Sequence, residues 1–331
     1  MKVTVIGDGA WGTALALNML RNGHQVRLWG AFPDYLDEIR KRKENYRFLP
    51  GVTIPDELTL VKDLEEAFSR QDMLILATPT QFLRGVLKKA APFFDRATPL
   101  VNVAKGIEVE SWKRISEIIA DELGETDFTD LSGPSHAEEV SRRVPTAVVA
   151  ASRSGKSAGS VQKLMMNDCF RVYTSSDVAG VELGGALKNV IAIAAGIIDG
   201  MKLGDNPKAA LMTRGIAEIG RLGEAMGGQR ATFAGLSGIG DLIVTCTSGH
   251  SRNRHVGEEL GKGRKMADIQ KEMGMVVAEG VPTARGAMAM SEKYGVSTPI
   301  MEEIYNILYR SRSVRDAIHA LMCRDAKPEE C

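Results

Sequence analysis

The sequence has few cysteines, and they form no recognisable framework. The four thiols are far apart and show neither the CxxC spacing of many metal sites nor the density of a disulfide-rich secreted protein. They are Cys169, Cys246, Cys323 and Cys331. This scarcity predicts reduced thiols in a reducing compartment, and we expect the protein in the cytoplasm.

An excess of charge of either sign is also missing. The 42 basic residues balance the 42 acidic residues in a chain of 331, so no overall field attracts a nucleic acid or an anionic membrane. We expect no nucleic-acid partner. An anionic ligand must therefore be bound by a local group of donors.

The sequence shows neither a secretory signal nor a membrane span. Lys2 is the only charged residue before the short apolar segment Val3 to Ile6, and no long hydrophobic region or small-residue cleavage site follows it. The most apolar run, Glu182 to Asp199, is marginal in length for a span and has a lysine in its middle. We expect a buried core helix there and no insertion into a membrane.

The first half alternates short apolar runs with amphipathic segments of helical length. Predicted strands are Val3–Ile6, Gln25–Trp29, Met73–Ala77, Leu100–Val103, Thr129–Leu131 and Thr146–Ala150. Predicted helices are Gly12–Arg21, Tyr35–Lys43, Gln81–Ala91 and Trp112–Leu123. This alternation predicts an α/β, Rossmann-like domain, in which helices cover a mostly parallel sheet.

After Asp177 the β-branched runs nearly vanish, and segments with helical spacing replace them. Predicted helices are Val181–Asp199, Lys208–Met226, Gly240–Val244, Arg254–Leu260, Met266–Met273, Pro282–Tyr294, Pro299–Tyr309 and Val314–Leu321. A chain of this length exceeds one compact core. We therefore predict a dinucleotide-binding domain of residues 1–178 and an all-helical, substrate-binding domain of residues 179–331.

A glycine-rich segment, GDGAWG at residues 7–12, follows the first predicted strand and opens a helix. Gly7, Gly9 and Gly12 suit a tight turn, a close approach of backbone to a pyrophosphate and tight helix-to-strand packing, with the helix N-terminus facing the phosphates. A merely structural turn is the alternative. The position within a βαβ pattern favours dinucleotide binding.

The end of the second predicted strand does not settle the choice between NAD and NADP. Dinucleotide-binding folds place an acid there for the ribose hydroxyl, or an arginine for a ribose phosphate, about 20 residues past the glycines. Here the segment is GAFP at residues 30–33, which contains neither, and Asp34 lies nearby. We expect NAD or NADP as the cofactor, without a preference.

A lysine lies within the most apolar run of the chain. Lys188 is the one ionisable side chain inside the run from Glu182 to Asp199. As a helix this run would be apolar on all sides and buried, which would desolvate the amine and ease its deprotonation. Enzymes use such lysines as proton donors and acceptors. The alternative is a lysine whose side chain extends to the edge of a packed helix.

Two loops that follow predicted strands carry polar groups. The segment SGPSHAEE at residues 132–139 allows two interpretations: a hydrolase elbow with Ser135 as nucleophile, or a loop that lines a ligand site. We favour the lining role because Ala137 breaks the GxSxG pattern. Lys105 lies just past a strand's carboxyl end, where ligands of open sheets bind, but taken alone it is better interpreted as an ordinary surface lysine.

The helical half carries a further polar cluster. Asp241 and Thr245 are four residues apart and would share one face of a helix. Shortly after them, Arg252 offers a planar donor fork for a phosphate, and Ser251 and Asn253 add neutral donors. A solvated helix start is the alternative.

One group of side chains could suggest a metal site. Cys246, His250 and His255 lie close together in the sequence. Their spacing fits no standard zinc pattern, and no assisting carboxylate is obvious. We therefore expect no metal.

Together these segments resemble the sn-glycerol-3-phosphate dehydrogenases of the soluble, nicotinamide-dependent, bacterial type. The matching segments follow the family's order from residue 7 to about residue 280. They are 7–14 (GDGAWGTA), 105–106 (KG), 131–137 (LSGPSHA), 184–189 (GGALKN), 238–242 (GIGDL), 251–253 (SRN) and 279–280 (EG). The joint pattern is far more specific than a glycine-rich loop alone.

The resemblance implies a role for each matching residue. Lys188, assisted by Lys105 and Asp241, would be the catalytic proton donor in ketone reduction and the acceptor in the reverse direction. The substrate would be bound by Lys105, Gly133, Ser135, Lys188, Asn189, Asp241, Thr245, Ser251, Arg252 and Asn253. The cofactor would contact Gly7, Gly9, Ala10, Trp11, Gly12, Lys105, Ala137, Arg252, Val277 and Glu279.

The resemblance also implies an activity, the reversible reduction of dihydroxyacetone phosphate to sn-glycerol 3-phosphate with NADH or NADPH. This reaction would supply glycerol phosphate for phospholipid synthesis. Members of the family often carry His or Arg where Ala31 and Phe32 stand here, so specificity for NADP is not implied.

Two other functions remain open. A dehydrogenase of the same architecture that acts on a hydroxy acid would bind a carboxylate in place of a phosphate. A dinucleotide sensor would bind NADH without turnover. Apolar helical faces in the second domain permit a homodimer, although one sequence does not separate an interface from a core.

Overall fold

The structure, a computed structural model, describes residues 1–326, 328 and 329. Its strands form one sheet in the order β3-β2-β1-β4-β5-β6-β7-β8. They are β1 (Lys2–Ile6), β2 (Gln25–Trp29), β3 (Thr59–Val61), β4 (Met73–Leu76), β5 (Leu100–Asn102), β6 (Phe128–Ser132), β7 (Thr146–Ala151) and β8 (Phe170–Ser175). Neighbouring strands are parallel except β6 and β7, so the prediction of a mostly parallel sheet is confirmed.

Helices cover the sheet and then make up the second half. Those in the first half are α1 (Ala10–Arg21), α2 (Pro33–Arg42), α3 (Leu64–Ala67), α4 (Thr80–Ala90), α5 (Ile115–Leu123), α6 (Ala137–Ser141) and α7 (Gly155–Met165). Those in the second half are α8 (Val178–Gly200), α9 (Asp205–Ala225), α10 (Arg230–Phe233), α11 (Asp241–Thr247), α12 (Arg252–Gly261), α13 (Met266–Met273), α14 (Gly280–Tyr294), α15 (Pro299–Tyr309) and α16 (Val314–Met322). Within the described residues no strand follows β8, which confirms the all-helical second half.

The central strand β1 is apolar along its length because helices cover both faces of the sheet. Val3 and Val5 pack into one buried cluster with Leu15 and Met19 of α1. Ile6 points to the opposite face and joins a second cluster that includes residues of α4 and α5. The chain leaves β1 toward β2 and returns on its other side as β4. The ends of β1 and β4 therefore form a switch point, where ligands of such sheets bind.

Helix α8 is the core of the helical half, and its backbone nearly touches that of α12. A Cβ built on Gly196 would lie 1.9 Å from the carbonyl oxygen of Arg254, and one on Gly257 would lie 1.9 Å from that of Ile193. Only glycine permits this approach, which brings the start of α12 beside the middle of α8. The helix is long and apolar enough to cross a membrane, but its most apolar stretch of 18 residues is entirely buried within the protein.

The order of elements changes from sheet to helices between Ser175, where β8 ends, and Val178, where α8 begins. The boundary between residues 178 and 179 remains a prediction. Cys169, Cys246 and Cys323 are free thiols, as expected, whereas Cys331 lies outside the described residues.

Candidate active site

A cleft of about 750 Å³ lies at the carboxyl ends of the strands and extends to the helical half. This volume is in the range of small-molecule and cofactor sites. Nearly all of the predicted site residues line it: Gly7, Gly9, Ala10, Trp11, Gly12, Lys105, Ser135, Ala137, Lys188, Asn189, Asp241, Thr245, Ser251, Arg252, Asn253, Val277 and Glu279. Gly133 is not a lining residue, but its carbonyl oxygen accepts a hydrogen bond from Lys105 Nζ at 2.9 Å.

The glycine-rich loop has the geometry that a dinucleotide requires. Gly7 has φ of +127°, and a Cβ built on it would lie 2.7 Å from the backbone of Ala77. A Cβ on Gly12 would lie 2.0 Å from the Gly7 carbonyl oxygen, whereas one on Gly9 would meet nothing within 4 Å. Helix α1 starts beside this open space with no side-chain cap and no acid in its first turn. These features fit a pyrophosphate at the helix N-terminus.

Lys188 is buried, with 5% of its surface exposed. Its Nζ donates hydrogen bonds to Asp241 Oδ1 at 2.9 Å and to Thr245 Oγ1 at 2.6 Å. Burial lowers the pKa of Lys188 to about 8; the carboxylate of Asp241 opposes this shift and the ammonium of Lys105 adds to it. The side chain therefore does not extend to the helix edge, and its amine can both give and take a proton near neutral pH.

Asp241 joins the two lysines. Lys105 Nζ donates to Asp241 Oδ2 at 2.7 Å and to Ser135 Oγ at 3.3 Å. Burial acts to raise the pKa of Asp241, but the two ammonium groups outweigh it and hold the pKa below its usual value. Lys105 is thus part of a buried charge network rather than a surface lysine.

A short π-helix, Leu236–Gly240, precedes Asp241 and sets its position. Such irregular turns are frequent at functional sites. The turn depends on the close approach of two glycines: a Cβ on Gly238 would lie 2.0 Å from the Phe233 carbonyl oxygen, and one on Gly184 would lie 2.7 Å from that of Ser237. Helix α11 therefore starts against α8, and Asp241 faces Lys188.

Asn189 and Asn253 form a second buried chain. Asn189 Nδ2 donates to the Lys105 carbonyl oxygen at 3.1 Å, and Asn253 Nδ2 donates to Asn189 Oδ1 at 2.9 Å. Asn253 Oδ1 accepts from the backbone N–H of Gly280 at 2.8 Å. The Asn253 side chain is thus engaged with the protein and connects α8, α12 and α14.

Arg252 is the first residue of α12 and lines the cleft. Its guanidinium makes no hydrogen bond or ion pair within the described part of the chain. Burial lowers the pKa of Arg252, and Glu138 opposes this shift; an arginine nonetheless stays charged. Ser251 caps the helix by accepting from the Arg254 N–H at 3.2 Å. Ser251 therefore serves as the cap that a helix start requires, whereas the unpaired guanidinium of Arg252 beside it is suited to bind an anion.

The hydrolase and metal interpretations find no support. The Ser135 hydroxyl donates to the Gly133 carbonyl oxygen at 2.8 Å, so its proton is directed away from any base. Burial raises the pKa of Cys246 to about 12, which disfavours the thiolate that binds metals. No group of three or more metal-binding side chains occurs among the described residues.

Glu279 connects the two halves of the cleft. Its Oε1 accepts from the Thr80 N–H at 2.8 Å, at the start of α4. Its Oε2 is buried and has no hydrogen-bond partner among the described residues. Burial raises the pKa of Glu279 to about 7, and the hydrogen bond from the Thr80 N–H opposes this shift.

Several lining residues were not predicted from the sequence. They include Phe48, the loop 77–79, His136, Met275 and the acidic residue Asp8 of the glycine-rich segment. The loop follows the carboxyl end of β4, and this position was the available signal because ligands bind there. Phe48 and Met275 carried no signal, since isolated apolar residues in loops have no periodicity.

Comparison with known proteins identifies the family. A family model described as the NAD-dependent glycerol-3-phosphate dehydrogenase N-terminus matches residues 2–158. A second, described as the C-terminus, matches residues 177–319. A glycerol-3-phosphate dehydrogenase (NAD(P)+) of Bacillus velezensis is 51% identical over 326 residues, which are 98% of this chain and 94% of the relative. The chain belongs to this family.

Other members of the glycerol-3-phosphate dehydrogenase family agree with this assignment. The enzyme of Bacillus cereus strain B4264 is 50% identical over 331 residues, covering 99% of this chain and 97% of the relative. A crystal structure of the glycerol-3-phosphate dehydrogenase of Coxiella burnetii has a TM-score of 0.94 at 36% identity, covering 98% of this chain and 99% of that one. The resemblance drawn from the sequence is confirmed.

Proposed function

We propose that this chain reversibly reduces dihydroxyacetone phosphate to sn-glycerol 3-phosphate with NADH or NADPH, and so supplies glycerol phosphate for phospholipid synthesis. The observation that carries the proposal is the buried Lys188, held by Asp241 and Thr245, in a cleft shared with an uncapped glycine-rich loop. Family membership supports the same reaction.

The cofactor would be held by the glycine-rich loop and the N-terminus of α1. When bound, it supplies the hydride that reduces the ketone. Gly9 leaves room for the pyrophosphate, and Ala10, Trp11 and Gly12 bring uncapped backbone N–H groups to the cleft. Ala137, Val277 and Glu279 line the remainder of the cleft and would contact the same ligand.

Lys188 would donate the proton to the substrate oxygen and accept it in the reverse direction. In the direction of reduction, its ammonium stabilises the charge that develops on the substrate oxygen and then gives that oxygen a proton, leaving a neutral amine. In the reverse direction, the amine accepts the hydroxyl proton. Asp241 holds Lys188 in place and keeps enough positive charge on it for the first step.

The substrate phosphate would bind at the start of α12. Arg252 offers an unpaired guanidinium, and the first turn of the helix adds backbone N–H groups. We assign the side chain of Asn253 to holding Asn189, since both of its polar atoms already bond to protein. Lys105, Ser135 and Thr245 would contact the substrate oxygens from the opposite side.

The test is a paired assay of NADH and NADPH oxidation with dihydroxyacetone phosphate. We expect turnover, competition by inorganic phosphate, and a KM raised about ten- to hundredfold in Arg252→Ala, the size of a lost charge-assisted contact. Arg153→Ala, at an exposed position, is the matched control. A hydroxy acid as the better substrate, or NADH binding without turnover, would contradict the proposal in favour of the two alternative functions.

We also propose a cytoplasmic location and a homodimer. The free thiols of the described chain and the burial of its one strongly apolar helix support the first. Exposed apolar side chains on the helical half, among them Ile239, Ile243 and Met322, are consistent with the second. Sedimentation of the purified protein measures the oligomeric state.

A further inference from the structure

An acidic side chain from the glycine-rich loop lies beside the end of β2. Gly30 is the first residue after that strand, and a Cβ built on it would lie 2.4 Å from Asp8 Oδ2 and 2.5 Å from Asp8 Cγ. In dinucleotide-binding sheets an acid near this position binds the ribose hydroxyls. The Asp8 carboxylate thus occupies the space in which a side chain at position 30 would begin, and only glycine there leaves room for it.

One oxygen of the Asp8 carboxylate is buried and lacks a donor. The residue is 8% exposed, and its Oδ2 has no hydrogen-bond partner among the described residues. A buried carboxylate oxygen without a donor is unfavourable. Asp8 also lines the cleft, together with Trp29, Ala31 and Phe32. The carboxylate of Asp8 therefore forms part of the cleft wall, where it can accept from a ligand that brings hydroxyl donors into this end of the cleft.

The backbone of Asp8 is fixed by a buried network. Asn45 Nδ2 donates to the Asp8 carbonyl oxygen at 2.7 Å and to Thr13 Oγ1 at 2.8 Å. Tyr35 in turn donates its hydroxyl proton to Asn45 Oδ1 at 2.6 Å. The loop also begins with a backbone bond from the Gly7 N–H to the Trp29 carbonyl oxygen at 2.9 Å. The carboxylate is thus preorganised beside the end of β2 rather than on a mobile loop.

The charges at this end of the cleft disfavour a ribose phosphate. Burial raises the pKa of Asp8 to about 6, so its carboxylate is mostly ionised at neutral pH. The segment GAFP at 30–33 contains no cation. Lys89 of α4 also lines the cleft, but it is exposed, so solvent weakens its attraction for an anion. A phosphate beside Asp8 would meet like charge, a common means of excluding the wrong ligand.

We propose that Asp8 binds the hydroxyls of the adenosine ribose and makes the cleft select NAD(H) over NADP(H). The inference rests on the proposed function for the presence of a dinucleotide. It goes further by choosing between the two cofactors and by assigning the choice to the glycine-rich loop.

The test measures binding of NADH and NADPH alone, by titration calorimetry, to the wild-type chain and to Asp8→Ala, Asp8→Asn and Asp34→Asn. We expect the wild-type chain to bind NADH at least about tenfold more tightly. Asp8→Ala should reduce this preference by about ten- to hundredfold, the effect of one charge-assisted bond and one repulsion. Asp8→Asn should bind NADPH more tightly than the wild type does. Asp34→Asn, an exposed acid of α2 outside the cleft, should keep the wild-type ratio.

Equal wild-type affinities, or a preference that survives in both Asp8 variants, would overturn the proposal. If Asp8→Ala fails to fold by circular dichroism, Asp8→Asn still decides, because the amide keeps the shape of the side chain. Turnover of dihydroxyacetone phosphate is measured on the same preparations. Selective binding without turnover refutes the proposed function and supports the role of Asp8, whereas turnover with both cofactors at equal affinity refutes only the role of Asp8.

Discussion

The two halves of the cleft are built in opposite ways. In the helical half, Lys188 bonds to Asp241 and Thr245, and Asp241 accepts a further bond from Lys105 of the sheet half, so the charged groups around Lys188 have partners before any ligand arrives. In the glycine-rich half the groups are left open: α1 has no cap, Gly9 faces empty space, and Asp8 Oδ2 has no donor.

This difference assigns the chemical step to the network around Lys188 and cofactor binding to the glycine-rich half. A buried lysine must be held by partners because an unpaired charge in a core is costly, and those partners also set its pKa. A dinucleotide, in contrast, is bound by groups that still lack partners, so that half must remain incomplete. We therefore expect substitutions in the network around Lys188 to affect the rate of turnover, and substitutions in the glycine-rich half to affect affinity for the dinucleotide.

Removing the amine of Lys188 should produce the largest difference between the effect on turnover and the effect on NADH binding. In Lys188→Ala we expect turnover to fall by about two to four orders of magnitude, since one positioned acid is lost. The fold should persist because Lys105 still neutralises Asp241. Steady-state rates and NADH titration are measured together, with the exposed Lys163→Ala as control. Near-normal turnover, or loss of NADH binding, would contradict the expectation that Lys188 serves the chemical step and not cofactor binding.

A pair of alanines tests the glycine-rich half. In Gly9→Ala the new Cβ meets no protein atom, and the backbone φ of −65° suits alanine. We expect stability within about 1 kcal/mol of wild type but a Kd for NADH raised roughly ten- to hundredfold, because the backbone can no longer approach the pyrophosphate. In Gly12→Ala the Cβ would meet the Gly7 carbonyl oxygen at 2.0 Å, so stability should fall by about 1 to 3 kcal/mol.

Thermal unfolding and NADH titration measure both effects. Wild-type affinity in Gly9→Ala would contradict the assignment of the loop. Equal stability losses in the two variants would show instead that position 9 is constrained by packing.

The pH dependence of activity tests the role of Lys188 in the helical half. Reduction needs the protonated form of Lys188, whose pKa is about 8. We therefore expect kcat/KM for reduction to fall about tenfold per pH unit above that value. The kcat/KM for oxidation should rise as the pH approaches it. In Asp241→Asn the carboxylate that raises the pKa of Lys188 is gone, so both bends should move to lower pH. Profiles with the same bend in both enzymes would remove Lys188 from the proton step.

Much of the fold could be predicted because its signals are local. Apolar runs identified the strands from Val3–Ile6 to Thr146–Ala150, and the loss of such runs after Asp177 identified the helical half. The edge strands Thr59–Val61 and Phe170–Ser175 were missed, because the first is very short and the second has exposed residues in alternation. Helix Gly155–Met165 was missed since its start is rich in glycine and serine.

The site was predicted less completely than the fold. Lys188 stood out because it interrupts an apolar run, which is a local contrast. The partners of Asn253 and the position of Asp8 beside Gly30 depend on contacts between distant segments. One sequence does not encode such distances in any periodic pattern, so these roles emerge only from the fold.

Glu279 links the two halves, and its ionisation should have the smallest measurable effect. Its folded pKa of about 7 exceeds the usual 4.5 because of burial. The folded state then holds its proton more tightly than the unfolded state, so stability is full below about pH 4.5 and declines as pH rises through about 7. Glu279→Gln keeps an oxygen for the Thr80 N–H and removes the charge.

We therefore expect Glu279→Gln to be more stable than wild type by on the order of 1 to 3 kcal/mol at about pH 8, with little difference at about pH 5. Thermal unfolding at both pH values measures this, with Glu292→Gln, an exposed acid of the same helix, as control. A difference independent of pH would mean that the substitution acts through packing. If the unpartnered Oε2 of Glu279 accepts a hydrogen bond from the dinucleotide, saturating NADH should stabilise the wild type more than Glu279→Gln at about pH 8.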